Sequence, residues 1–135
     1  MTPAILETAL YAEDLDAAEA FYGGVLELEK IVRVKNRHVF FKLDQSVLLI
    51  FNPSETAEVD MSRPLPVPPH GASGPGHACF RAEGDALDAW EAKLKAFGVE
   101  IEQHITWPNG ARSFYFRDPE GNSLEFGEGK LWELE

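Results

Sequence analysis

Short apolar segments with a two-residue period alternate along the chain with segments in which apolar residues recur every three or four positions. The first spacing is typical of strands and the second of amphipathic helices. In the first half, this pattern predicts a helix over residues 15–22, with Asp14 as its N-cap and Gly23-Gly24 as its end. It also predicts four strands, over residues 5–11, 28–34, 39–43 and 47–51.

The second half repeats this order. A strand is predicted over residues 77–81, followed by a helix that Asp85 caps and Gly98 ends. Three more strands are predicted over residues 101–105, 112–116 and 123–126, with turns at Pro108-Asn109-Gly110 and Asp118-Pro119-Glu120-Gly121. An offset of about 70 residues between two such copies indicates a duplicated strand–helix–strand–strand–strand unit.

The segment between the copies has a different composition. Residues 53–76 hold six of the nine prolines, together with Gly71, Gly74 and Gly76. Proline removes ladder donors and glycine interrupts regular structure, so this stretch is predicted to be a loop or linker. The resulting organisation is one domain over residues 1–135, with module 1 at about 4–52, the linker at 53–76 and module 2 at about 77–128.

Composition narrows the possible partners. The chain has 12 Lys and Arg against 23 Asp and Glu, a net charge of −11, which disfavours nucleic acid and anionic membrane surfaces. Its apolar runs fall short of the ~18 residues of a membrane helix, and its N-terminus lacks a signal-like pattern. The single cysteine, Cys79, excludes an intrachain disulfide and a cysteine-based zinc site. We therefore expect a soluble, cytoplasmic, single-domain protein.

Strand alternation sorts the candidate chemistry. On the first strand Glu7 lies opposite the face of Leu6 and Leu10, and on later strands His77 and Glu125 likewise lie opposite their apolar neighbours. If these faces surround one cleft, two carboxylates and an imidazole converge. Such a cluster is unfavourable unless a cation compensates it, and these donors suit Mn, Fe, Co, Ni or Zn.

Three motifs carry a resemblance to a known family. They are the opening segment from Leu6 to Tyr11 with Asp14-Leu15, the strand after Gly76 that begins at His77, and the closing segment from Phe114 to Phe126 with its Asp-Pro-Glu-Gly turn. Over about residues 4–128 the chain resembles the vicinal oxygen chelate superfamily, which includes glyoxalase I, fosfomycin-resistance thiol transferases, extradiol dioxygenases and bleomycin-resistance proteins. The resemblance implies an α+β fold of two βαβββ modules that form a half-open barrel around a shared cleft.

The resemblance also implies a metal site. His77 and Glu125 stand at family ligand positions, and Glu7 stands where most metal-dependent members have histidine. The fourth glyoxalase I position falls on Leu49, which cannot coordinate, so a three-ligand site of Glu7, His77 and Glu125 is expected. Glu125 and Glu7 are the candidate catalytic residues, because a ligand carboxylate in this family can leave the metal and take a proton.

Other side chains could line a substrate cavity or could serve only in packing and at the surface. His70 could close over the site but is expected to be solvent-exposed, as are the strand residues His38 and His104. Cys79 is expected to be a buried filler. Basic groups that could meet an anionic substrate, though mostly solvated, are Arg33, Lys35, Arg37, Arg81 and Arg112. Candidate substrate-cavity residues are Tyr11, Leu49, Phe51, Cys79, Arg81, Trp107, Tyr115 and His70.

Two functions remain open from the sequence. One is a metal-dependent lyase or isomerase, or a thiol transferase, of the glyoxalase–fosfomycin-resistance type; oxygen cleavage fits less well because only one histidine ligand is present. The alternative is a metal-free small-molecule binding protein similar to bleomycin-resistance proteins, which Leu49 and Glu7 also fit. The resemblance implies a homodimer in either case.

Overall fold

The computed structural model describes residues 1–134, which divide between two compact units, residues 1–74 and residues 75–134. Each unit contains one four-stranded mixed sheet. The elements of the first unit are β1 (Glu7–Tyr11), α1 (Leu15–Glu19), a π-helix (Ala20–Val25), β2 (Glu29–Val34), β3 (His38–Lys42), β4 (Val47–Phe51) and α2 (Pro53–Thr56). Those of the second unit are β5 (His77–Arg81), α3 (Asp85–Ala96), β6 (Gln103–Thr106), β7 (Arg112–Arg117), β8 (Ser123–Gly127) and a 3-10 helix (Gly129–Trp132).

The two sheets have the same topology. Their strand orders are β1-β4-β3-β2 and β5-β8-β7-β6, with one parallel pair, β1·β4 or β5·β8, and antiparallel pairs elsewhere. The registers also match, since Ala9 lies beside Leu49 and Cys79 lies beside Glu125. The predicted α+β class with two βαβββ modules is confirmed.

Alternating strand residues form the two cores, as the sequence pattern predicts. In the first unit Leu10, Leu48 and Ile50 are buried on the sheet face that also packs with α1. In the second, Phe114, Phe116, Leu124 and Phe126 are buried, and Trp90 of α3 stacks on Phe126 with ring centroids 4.9 Å apart. The opposite face of each sheet is thereby left for polar and cavity-lining side chains.

The first helix departs from its prediction. Asp14 caps it as expected, accepting a hydrogen bond from Ala17 N at 3.0 Å. Gly23 and Gly24 do not end it, because the chain continues as the π-helix to Val25, and Leu26 N donates to Phe21 O five residues earlier. Glu27 then takes a left-handed φ of 54°, a conformation that costs a side-chain-bearing residue about 1 kcal/mol relative to glycine.

Two smaller corrections concern α3 and the linker. Asp85 is the first residue of α3 rather than its cap, and the capping position is Gly84, which has a φ of 49° and no capping side chain. Gly98 does follow the end of the helix with a φ of 78°. Within residues 53–76 the structure contains the short helix α2, followed by loop. Across residues 1–134, every helix is too short or too polar to cross a lipid bilayer.

Candidate functional site

The polar face of the second sheet brings His77 and Glu125 together. Glu125 lies in the middle of β8, between Cys79 of β5 and Tyr115 of β7 in the strand register. His77 Nε2 and Glu125 Oε1 are 3.4 Å apart, with the His77 side chain 52% exposed and that of Glu125 only 5% exposed. A buried carboxylate therefore faces an accessible imidazole nitrogen.

The proton position on His77 follows from its second contact. His77 Nδ1 lies 2.9 Å from the Ser123 carbonyl oxygen, and because a carbonyl can only accept, Nδ1 carries the hydrogen. In the neutral ring Nε2 is then an acceptor. It faces Glu125 Oε1, which is also an acceptor, and two acceptors at this distance are stabilised only by a proton or a cation between them.

A buried polar turn fixes the strands that carry this pair. Asp118 accepts hydrogen bonds from Glu120 N, Asn122 N and Asn122 Nδ2, at 2.9 to 3.0 Å. Asn122 Oδ1 in turn accepts from Gly76 N at 2.7 Å, directly before β5. This network, together with the left-handed φ of 94° at Gly121, joins the start of β5 to the start of β8. His77 and Glu125 are therefore held by the Asp-Pro-Glu-Gly turn that the sequence singled out.

The second oxygen of Glu125 is buried without a hydrogen-bond partner among the described residues. A Cβ at Gly127 would lie 3.4 Å from this Oε2 atom and 2.9 Å from Ser113 Oγ. Glycine therefore leaves room beside the carboxylate. A buried carboxylate oxygen without a donor is unfavourable unless a ligand supplies one.

The neighbours of Glu125 stay protonated at neutral pH. Desolvation and the Glu125 carboxylate raise the pKa of the Cys79 thiol to about 12. The same two causes raise the pKa of Tyr115 to about 12. Cys79 is exposed as a residue, so the expectation that it is a buried filler was wrong.

The equivalent face of the first sheet forms a cavity of about 690 Å³. Its floor includes Leu49, which occupies the register position that Glu125 holds in the other sheet. Glu7 lies exposed at the start of β1, at one end of this cavity. The predicted cavity residues Tyr11, Phe51 and His70 line it too.

The other end of the cavity is basic and aromatic. Arg37 and Arg63 line it, together with His38, which is 4% exposed. Arg37 Nη1 donates to His38 Nδ1 at 2.7 Å. Burial first, and then the charges of the two arginines, lower the pKa of His38 to about 4, so its ring is neutral at pH 7. The expectation that His38 is a surface residue was wrong.

His70 reaches the same cavity from the loop. Its Nδ1 lies 2.9 Å from the Tyr11 hydroxyl, and its ring packs edge-on against Phe51 at 4.4 Å. The side chain is partly buried, so the expectation of full solvent exposure was wrong. His104 is exposed as expected, 3.0 Å from Glu91.

Other predicted cavity residues have structural contacts. Trp107 Nε1 donates to Ser113 Oγ at 2.9 Å, and Arg81 pairs with Glu83 at 2.7 Å. Sequence reasoning missed Arg63, because nothing in a proline-rich loop marks one basic residue as facing a cavity. Within residues 1–134 no three His, Cys, Asp or Glu side chains form a group that could hold a metal ion. His77 and Glu125 therefore form a pair of side chains rather than part of a larger cluster.

Comparisons with known proteins agree with this architecture. Residues 4–126 match the family model of the Glyoxalase/Bleomycin resistance protein/Dioxygenase superfamily. A crystal structure described as lactoylglutathione lyase from Agrobacterium tumefaciens is 48% identical, with a TM-score of 0.94 and 100% of both chains covered. No curated protein sequence matches the chain.

More distant structures share the fold alone. A glyoxalase/bleomycin resistance protein/dioxygenase from Nocardioides is 22% identical, with a TM-score of 0.73 over 95% of this chain and 84% of that one. An integron cassette protein from V. cholerae is 19% identical, with a TM-score of 0.70 over 96% and 97% of the two chains.

Proposed function

Because the chain belongs to the Glyoxalase/Bleomycin resistance protein/Dioxygenase superfamily, we propose that it is a metal-dependent lyase or isomerase of the glyoxalase type. In this proposal His77 and Glu125 hold a divalent cation, Glu7 is the third ligand, and Glu125 is also the catalytic base. The substrate is a small molecule with two adjacent oxygens. We propose a proton-transfer reaction rather than the thiol-transferase or oxygen-cleaving reactions of the superfamily.

One observation carries the proposal: His77 Nε2 and Glu125 Oε1 face each other at 3.4 Å while Nδ1 of the same ring is committed to the Ser123 carbonyl. A hydrogen-bonded Nδ1–H behind a free Nε2 is the usual second contact of a metal-binding histidine. The buried Glu125 Oε2, which has no hydrogen-bond partner within the geometric limits among the described residues, adds a second carboxylate oxygen beside the imidazole. Nitrogen and oxygen donors of this kind suit Mn, Fe, Co, Ni and Zn.

A bound divalent cation supplies Lewis-acid polarisation of the substrate oxygens. The protein side chains do the remaining work. Glu125 takes a proton from the carbon beside the polarised carbonyl and returns it to the neighbouring carbon, while the hydroxyl proton moves from one substrate oxygen to the other, so no proton is gained or lost overall. Tyr115, with its pKa near 12, stays protonated beside this carboxylate throughout.

The similarity to a structure described as lactoylglutathione lyase supports one substrate for the first assay. That substrate is the hemithioacetal of glutathione and methylglyoxal, whose isomerisation to a thioester is a proton shift between adjacent carbons. Leu49 stands at the fourth metal-ligand position and cannot coordinate, so we expect activity to depend on three protein ligands to the metal rather than four. Activity on this substrate is followed by thioester absorbance.

The experiment begins with metal content. Protein purified without added metal is analysed by elemental analysis and then titrated with Mn, Fe, Co, Ni and Zn. We expect one tightly bound ion per chain, lost in His77→Ala and retained in His104→Ala, an exposed histidine of the same unit. We expect Glu125→Gln to lower isomerase activity by at least 100-fold. Metal binding that survives His77→Ala contradicts the proposal.

The role of Glu7 needs a separate test. Glu7→Gln is expected to weaken metal binding at least tenfold, because it replaces a charged donor by a neutral one. The third ligand comes either from the same chain or from a second copy. Mixing Glu7→Gln and His77→Ala proteins distinguishes these sources, since recovery of metal binding occurs only if two chains share a site. Unchanged metal affinity in Glu7→Gln removes Glu7 from the ligand set.

A metal-free binding protein is the second candidate function. The observation that favours it is the apolar Leu49 at the register position of Glu125, on the floor of a 690 Å³ cavity. Absence of affinity for all five metals, together with tight binding of a small molecule in this cavity, would support it over the enzyme.

A further inference from the structure

The cavity of the first unit has two chemically different ends. In the strand register Tyr11, Phe51 and His38 lie side by side at one end, and Glu7 lies four residues away along β1. At ~3.3 Å per strand residue this separates the ends by roughly 13 Å. The surface between them is lined by Ala9, Leu49 and Phe40. A ligand that fills the cavity therefore meets a basic aromatic end, an apolar middle and an acidic end.

Both arginines at the basic end have an unused donor. The Nε atoms of Arg37 and Arg63 are buried and have no hydrogen-bond partner among the described residues. Over residues 1–134, no carboxylate lies within 4.0 Å of either guanidinium. Buried guanidinium donors without an acceptor are unfavourable, and an anion is the group that satisfies them.

The nearest carboxylates act on this end from beyond ion-pair distance. Asp60 and Glu55 act on Arg37, Asp60 also acts on Arg63, and the two guanidinium charges oppose each other. His38 cannot serve as a counter-ion because its ring is neutral at pH 7, with Nδ1 accepting from Arg37. This acceptor role leaves Nε2 of His38 as a hydrogen-bond donor. Three side chains at one end therefore offer donors and none offers a negative charge.

The walls specify the rest of the ligand. The ring of His38 stacks on Phe40 at 4.1 Å, and Phe51 meets both rings edge-on, within 5.7 Å. The Arg37 guanidinium lies 5.8 Å from the centroid of Phe51. Leu65 and Val67 of the loop add aliphatic surface to the cavity. Flat aromatic and aliphatic walls favour a planar apolar body.

We propose that this cavity binds a small molecule with an oxyanion head, a carboxylate or a phosphate, on a planar apolar body, with the head at Arg37 and Arg63. Guanidinium groups match both oxyanions in geometry. The loop carrying Arg63 and His70 forms one wall, and the Tyr11–His70 contact holds it at β1. The proposal goes beyond the proposed metal chemistry and rests on the first unit alone.

Calorimetric titration of the full chain tests this with defined probes. Phenylacetate and phenyl phosphate carry both the oxyanion head and the aromatic body. Phenylacetamide carries the aromatic body without the anionic head. Acetate and inorganic phosphate carry the anionic head without the body. We expect at least one aromatic oxyanion to bind tenfold or more tightly than phenylacetamide, despite the net charge of −11. We expect bare acetate and phosphate to bind at least tenfold more weakly than their aromatic counterparts.

Matched variants locate the head. Arg63→Gln and Arg37→Gln are each expected to reduce aromatic oxyanion affinity at least tenfold while leaving phenylacetamide binding within twofold. The control is Arg33→Gln, because Arg33 lies in the same unit but pairs with Asp16 and Glu19 at 3.1 Å outside the cavity. Equal loss in Arg33→Gln contradicts the assignment.

Two further results overturn the proposal. One is phenylacetamide binding as tightly as both aromatic oxyanions, which removes the anionic head. The other is bare phosphate or acetate binding as tightly as the aromatic probe, which removes the apolar body. The measurements are made on protein stripped of metal by a chelator, so they stand or fall separately from the metal experiments on His77 and Glu125.

Discussion

The two sheets of this protein offer a comparison within one chain, because their strand orders are the same and the registers of β1, β4 and β3 correspond to those of β5, β8 and β7. The middle of the fourth strand is Leu49 in the first sheet and Glu125 in the second, and two residues later the positions are Phe51 and Gly127. The first sheet therefore presents an apolar surface where the second presents a buried carboxylate beside open space. Corresponding positions of the two sheets therefore carry side chains of different chemistry.

The neighbouring positions follow the same division. His38 and Phe40 on β3 correspond to Ser113 and Tyr115 on β7. Aromatic rings surround the cavity of the first unit, whereas hydroxyl and thiol groups neighbour Glu125 in the second. Register fixes which positions face the site, and side-chain identity alone decides whether that site holds an apolar ligand or polar donors.

The largest effect is expected from Asn122→Ala, which breaks the polar turn present only in the second unit. The substitution leaves Gly76 N without its acceptor and Asp118 without a buried donor. We expect a loss of about 2–4 kcal/mol in the free energy of unfolding, measured by urea denaturation. The matched control is Asn36→Ala in an exposed turn of the first unit, expected to change stability by less than about 0.5 kcal/mol. Similar losses in both variants would remove the special role of the turn.

An intermediate effect is expected from Gly127→Ala, which makes the second sheet slightly more like the first. The added Cβ would lie 2.9 Å from Ser113 Oγ and 3.2 Å from Cys79 Sγ. Overpacking of this kind lowers the unfolding free energy by about 1–3 kcal/mol. Gly24→Ala is the control, since its Cβ meets nothing within 4 Å. A stable Gly127→Ala protein with an unchanged melting temperature would show that the space beside Glu125 is not needed.

The smallest effect concerns pH and the first unit. Burial and the charges of Arg37 and Arg63 lower the pKa of His38 from 6.5 to about 4 in the folded protein. Between these values the unfolded chain binds the extra proton, so stability falls as the pH decreases. We expect His38 to account for a loss of about 1–2 kcal/mol between pH 7 and pH 5. Its imidazole resonance, followed by NMR, should remain that of a neutral ring at pH 5; titration near 6.5 would contradict this.

Periodicity predicted much of the fold because it depends on local patterns. The strands beginning at His77 and Arg112 start where they were predicted, and the Asp118 turn joins β7 to β8 as expected. The π-helix escaped prediction because Gly23-Gly24 usually marks a helix end, and the i+5 bond from Leu26 to Phe21 depends on packing around the turn. Local sequence carries no signal for that choice.

The candidate site was partly predictable for a related reason. Strand alternation placed His77 and Glu125 on one face, and the structure puts them 3.4 Å apart. The family resemblance, through alignment of the two halves, assigned Leu49 to the equivalent place in the first sheet, and the strand register agrees. Burial of His38 could not be predicted, because it depends on its contacts with Arg37, Phe40 and Phe51, which strand alternation does not specify.

The raised pKa of the Cys79 thiol beside Glu125 has a practical consequence for handling the protein. With a pKa of about 12, Cys79 exists as thiolate in roughly one molecule in 10,000 at pH 8. Alkylating reagents and maleimide dyes react with the thiolate, so the lone sulphur resists labelling under ordinary conditions. A cysteine introduced elsewhere on the surface would then take up a fluorophore selectively, without prior removal of the native one.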